Sequence, residues 1–164
     1  MSCSPHSPAD SPDRPVPSAP DAMEQPAPTN AARAKAARPR ATRLPKGLRV
    51  LVVEQNTILA LDVEEMLLRH GVSQVAIANS AGEAMTHLRN NVFDAALLDL
   101  KLSGNGSADV AVCLDELQVP FAFAIGYGER PQLPPLFGDR MVIGKPYSEP
   151  YLVSRLAALV AKGA

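Results

Sequence analysis

The stretch "AALLDLKLSGNG" (residues 95–106) decides the fold. Ala95, Ala96, Leu97 and Leu98 are all apolar, Asp99 closes the run, and a segment rich in Gly, Ser and Asn follows. A short apolar run bounded by turn residues reads as a buried strand. A carboxylate at the end of such a strand is costly unless it is paired or put to use. Asp99 is therefore the first candidate functional residue, and its neighbours must say what it is for.

The same pattern recurs on both sides. "LRVLVV" (48–53), "SQVAIA" (73–78), "PFAFAIG" (120–126) and "RMVIG" (140–144) read as further apolar strands. Between them lie helical patterns. Leu59, Val63, Met66 and Leu67 share one face, and Gly71 stops that helix. Ser80 with Glu83 forms a capping box ahead of Ala84, Met85 and Leu88. "ADVAVCLDEL" (108–117) is helical, and Leu152, Leu156, Leu159 and Val160 line a last helix from Ser148. "RPQLPPLFG" (130–138) holds three prolines where one more helix is due, so that helix is short or broken. Apolar strands alternating with amphipathic helices imply an α/β fold: a doubly wound, five-stranded parallel sheet, (βα)5 and flavodoxin-like, with helices on both faces.

Prolines also divide the chain. Ten of the 16 in this 164-residue sequence precede Gly47, in a segment with almost no large apolar residues. Such a segment buries too little surface to offset its ordering entropy, so residues 1–46 read as a disordered tail and 47–164 as the folded domain. The tail is acidic first, through Asp10, Asp13, Asp21 and Glu24, then basic from Arg33 to Lys46. The basic half reads as a solvated linker or as a contact for an acidic partner, and Met23 is an alternative start. A net charge of -1 gives no general signal for nucleic acid. No run approaches the ~20 apolar residues of a membrane span, and no secretory h-region opens the chain. A cytoplasmic protein without membrane or nucleic-acid partners is expected. Cys3 and Cys113 then read as free thiols.

In doubly wound sheets, ligands bind beyond the carboxyl ends of the strands. Glu54 and Gln55 follow the first strand, and Asp99 ends the third. Ile125, Gly126 and Tyr127 follow the fourth, and Lys145 and Pro146 the fifth. Two carboxylates on one rim suit Mg2+, which takes one or two carboxylates plus phosphate oxygens and water. A lysine neutralises a transferred phosphoryl group as a point charge. An aspartate facing both is a competent nucleophile for phosphoryl transfer.

"VLVVEQN", "AALLDLKLSGNG", "PFAFAIGYG" and "IGKPY" together resemble the successive motifs of a response-regulator receiver domain. The resemblance covers about residues 48–162. "PFAFAIGYG" more narrowly resembles the block of the FAT GUY receivers, often stand-alone regulators of alphaproteobacterial networks. The resemblance implies a single-domain response regulator that takes a phosphoryl group on Asp99 from a histidine kinase or phosphotransferase protein, then engages a downstream protein. It implies that Asp99, Glu54, the residue at position 55 and the backbone carbonyl of Lys101 hold Mg2+, and that Lys145 pairs with Asp99. It also implies a cis Lys145–Pro146 bond and a role for Tyr127 in the phosphorylation-sensitive loop. No enzyme activity is expected beyond Mg-dependent phosphorylation and dephosphorylation of Asp99.

Three positions depart from the pattern. Gln55 stands where the family has a second acid, so metal affinity should fall. Ile125 stands where the family has Thr or Ser, and the lost charge-assisted hydrogen bond costs roughly 1.5–3 kcal/mol. Val142 stands where many receivers carry a switch aromatic, as the FAT GUY type also lacks. A second reading follows from these changes: a degenerate receiver that binds partners without phosphorylation.

Other patterns carry less. "SGNGSA" (103–108) contains a G-x-G before a helix, but Asp109 stands where a dinucleotide fingerprint needs its third glycine. His6, His70 and His87 have no ligand spacing, and Cys113 reads as a helix core residue.

Overall fold

A computed structural model describes residues 43–163. Five strands alternate with four α-helices: β1 Arg49–Val53, α1 Thr57–Arg69, β2 Gln74–Ala78, α2 Ala81–Asn90, β3 Ala95–Asp99, α3 Gly106–Glu116, β4 Phe121–Ile125, β5 Val142–Gly144 and α4 Glu149–Gly163. The strands form one all-parallel sheet in the order β2-β1-β3-β4-β5. The expected α/β architecture is what the chain adopts.

Strand alternation divides the core. Val50, Val52, Ala95, Leu97, Ala122 and Ala124 face one side, with Val63, Leu67, Leu152 and Leu156 of α1 and α4. Leu51, Val53, Ala96, Leu98, Phe121 and Phe123 face the other, with Ala84, Leu88, Val110 and Leu114 of α2 and α3. Every residue of β3 is buried, as a central parallel strand requires.

Local chemistry sets the helix ends. Asn56 caps α1, its side chain accepting from the Ile58 and Leu59 amides. At the far end Val72 N–H reaches the Leu67 carbonyl and Gly71 N–H the Leu68 carbonyl, with Gly71 at φ +88°. This is a Schellman stop of the kind the glycine predicts. Ser80 caps α2 through the Glu83 amide, but the Glu83 carboxylate reaches back to Asn79 N–H rather than to Ser80.

One sequence reading needs correction. Leu44, assigned to the tail, is only 5% exposed and belongs to the core, so the folded part begins before Gly47. Residues 1–42 of the proposed tail, with Cys3, His6 and Met23, lie outside the described residues. The glycines of "SGNGSA" have specific local roles. Gly104 adopts φ +68°, and a Cβ on Gly106 would fall 2.9 Å from Cβ of Ala81. The bare Gly106 lets α3 start against α2.

The proline-rich segment forms no fifth helix. It makes one 3-10 turn, Pro135–Phe137, anchored by the buried Phe137 ring edge-on to Phe121 at 5.6 Å. Arg140 lies over the Phe121 ring at 4.9 Å and pairs with Asp115 of α3. Among the described residues, no helix is long and apolar enough to cross a membrane.

Candidate functional site

The carboxyl ends of β1, β3 and β5 bring Glu54, Asp99 and Lys145 together. Glu54 directly follows β1 and is 5% exposed; Asp99 is the last residue of β3 and 7% exposed. The Lys145 ammonium donates to Glu54 Oε2 at 2.5 Å and to Asp99 Oδ2 at 3.0 Å. The other oxygens are held by backbone. Glu54 Oε1 accepts from Asn56 N–H at 2.9 Å, and Asp99 Oδ1 from Lys101 N–H at 3.1 Å. Two buried acids thus share one cation, and this cluster carries a surplus negative charge.

Lys145 is aimed by its backbone. Its amide donates to the Ile125 carbonyl at 2.7 Å, which extends the β4–β5 ladder by one residue. The Lys145–Pro146 bond is cis.

The remaining sequence candidates are more dispersed. Gln55 is exposed and donates through Nε2 to Ser103 Oγ at 3.0 Å, so its amide oxygen is not the group engaged there. Lys101 contacts Asp99 through its N–H, while its ammonium bonds Glu129 at 2.6 Å. Ile125 ends β4, half-buried and without a donor. Tyr127 is 91% exposed and stands off the acid cluster in this state.

For Mg2+ the donors present are of the right chemistry. Glu54, Asp99 and the Gln55 amide offer oxygens on one rim, and hard cations take oxygen ligands. Among the described residues, however, no three His, Cys, Asp or Glu side chains gather to hold a metal.

Two residues near the site were not singled out by sequence. Tyr147, two residues after Lys145, is buried with its hydroxyl unpartnered. Burial first, then the charges of Glu54 and Asp99, push its phenol well above the ordinary tyrosine range. The aromatic after Lys–Pro was the only available signal. Glu129 is the other. Its hydrogen bond to Lys101 holds its carboxyl below the usual range.

The fold has known counterparts. The chain matches a response regulator receiver protein from Sinorhizobium medicae at 20% identity, over 72% of this chain and 98% of that one, with TM-score 0.60. A CheY-like receiver domain protein from Methanospirillum hungatei matches at 21% identity, over 72% and 97%, with TM-score 0.62. The chain has the response regulator receiver (CheY-like) fold. This receiver also matches SdrG from Pseudomonas melonis, solved in a BeF3-activated conformation, at 30% identity over 71% and 99%, with TM-score 0.60. No family model and no curated protein matches the chain.

Proposed function

We propose that this receiver is a response regulator that accepts a phosphoryl group on Asp99 from a histidine kinase or phosphotransferase protein. The observation that carries the reading is the Lys145 ammonium lying between two buried carboxylates at the strand ends. A structural ion pair needs one acid for one base. Two acids around one lysine suit a further cation, which would in turn offset the charge of an arriving phosphoryl group.

In the step, one Asp99 carboxylate oxygen attacks the phosphorus of a phosphohistidine or acetyl phosphate. The new P–O bond forms as the P–N or P–O bond to the donor breaks. The leaving group keeps the bonding electron pair, and a departing imidazole takes its proton from solvent. Lys145 shifts from neutralising the carboxylate to neutralising the phosphoryl oxygens. Lys101 N–H holds the other carboxylate oxygen, which fixes the attacking direction. Mg2+, where bound, would be held by Glu54, Asp99, the Gln55 amide oxygen and the Lys101 carbonyl, and would offset charge on the phosphoryl oxygens.

The likeness to SdrG, described in a BeF3-activated conformation, supports a site that takes a tetrahedral anionic group. The "PFAFAIGYG" block is consistent with the FAT GUY group and with a soluble cytoplasmic regulator. The test is incubation with acetyl phosphate and Mg2+, read by intact mass, with Asp99→Ala as control. A phosphoryl adduct that needs Asp99 supports the reading. Failure with acetyl phosphate and with a panel of phosphorylated kinases points instead to a phosphorylation-independent interaction module.

A further inference from the structure

The loop after β4 carries an acid that the proposed chemistry does not use. Glu129 N–H donates to the Gly126 carbonyl at 3.3 Å, closing a turn with Gly128 at φ +75°. Only glycine adopts that conformation freely. The turn folds Glu129 back over the strand end. Its carboxylate lies against Gly126, where a Cβ would fall 2.5 Å from Oε1 and 2.8 Å from Cδ. From the other side the Lys101 ammonium meets Oε1 at 2.6 Å.

Both supports of this carboxylate belong to the Asp99 rim. Lys101 donates its N–H to Asp99, and Gly126 follows the strand whose Ala124 is paired with Asp99. Glu129 also lies within the field of the Lys145 ammonium. The two rim lysines are thus both committed, Lys145 to Glu54 and Asp99, Lys101 to Glu129. An incoming phosphodonor is itself an anion and meets a rim whose cations are already occupied.

We propose that Glu129 is a positioning residue that sets the phosphorylation rate: its carboxylate, seated on Gly126 and paired with Lys101, fills the anion position that a phosphodonor must take. This rests on the phosphoacceptor reading of Asp99. The donor's phosphoryl oxygens compete for the Lys101 ammonium, and Glu129 is expelled as they win it. The turn at 126–129 then loses its tie to Lys101. Ile125 brings no hydroxyl to sense a phosphoryl group, and the displaced Glu129 provides the signal in its place.

The experiment compares wild type, Glu129→Gln and Glu129→Asp in the full chain, with acetyl phosphate and Mg2+ at low and high salt. Glu129→Gln is expected to phosphorylate roughly three- to tenfold faster at low salt, since it removes a like charge and frees an ammonium. The gain should appear as a lower half-saturating donor concentration and should shrink in high salt. Glu129→Asp keeps the charge and should stay near wild type. Adduct in Glu129→Gln but not in wild type supports the inference most directly. Equal rates and equal half-saturation in wild type and Glu129→Gln overturn it and leave Asp99 as phosphoacceptor. No adduct in any variant removes the phosphoacceptor reading and the Glu129 role with it. Circular dichroism melts confirm that the variants fold, which the position of Glu129 in a loop favours.

Discussion

Two aspartates bracket β3, and they live under opposite rules. Asp94 precedes the strand and takes the Arg49 backbone N–H at 2.8 Å, together with two guanidinium bonds at 3.2 Å. Its own N–H donates to the Arg49 carbonyl at 2.8 Å. One acid meets one base, in a partly exposed fork with every bond returned. Asp99 ends the same strand, is more deeply buried, and must share its lysine with Glu54. The amino end of the sheet spends charge on holding β1 to β3. The carboxyl end leaves charge unbalanced where a substrate would arrive.

The largest effect separates the two aspartates by chemistry. Asp99→Asn should abolish the acetyl-phosphate adduct, while Asp94→Asn should leave it within about twofold of wild type, both read by intact mass. Loss in both variants would break the contrast.

Next comes the shared cation. Lys145→Met leaves two buried carboxylates facing one another, and should cost about 3 kcal/mol in urea unfolding at pH 7. A cost near zero would mean that water already reaches the cluster freely.

The third prediction concerns sign. Asp94→Ala should destabilise by about 1 kcal/mol, since the fork is partly exposed. Asp99→Asn should be neutral or stabilise by about 1 kcal/mol, because it removes the surplus charge while Asn Oδ1 still accepts from Lys101 N–H. Equal destabilisation by both would contradict the comparison.

pH sharpens the same point. The Arg49 hydrogen bonds hold the Asp94 carboxyl below its ordinary range. Its contribution is therefore full above roughly pH 5 and is lost as pH falls through the depressed folded value. The gap between wild type and Asp94→Ala should close on acidification, as urea midpoints at successive pH values will show.

The smallest effect is at Tyr147. Tyr147→Phe removes an unpartnered buried hydroxyl and should be neutral or stabilise by up to about 1 kcal/mol. Burial raises the phenol, so wild type keeps this site's stability up to the ordinary tyrosine range near about pH 10 and loses it above. The Phe variant should not share that alkaline loss.

These residues also show how far the sequence could be read. Glu54, Asp99 and Lys145 were legible because each stands at the end of an apolar run, and a parallel sheet brings such ends to one rim. Asp94 was not, since an acid before a strand looks like ordinary punctuation until Arg49 is seen beside it. Tyr147 was passed over, although it is the buried aromatic and Tyr127 the exposed one. Sequence places an aromatic in a loop but does not say which loop turns inward. Glu129 escaped for the same reason: its seat depends on the turn at Gly128 and on Lys101, 28 positions earlier in the numbering. The prolines at 131, 134 and 135 announced the missing helix, but not that Phe137 would dock on Phe121.

The short β5 has a colloidal consequence. It is one edge of the sheet and has only three residues, Val142–Gly144, followed at once by Lys145 and Pro146. An open edge invites another chain to add a strand, and brevity and proline each discourage it. A longer, regular β5 would offer a template for edge-to-edge growth. By ending its sheet in a stub, this protein can keep an apolar core strand at the margin without becoming a seed for aggregation.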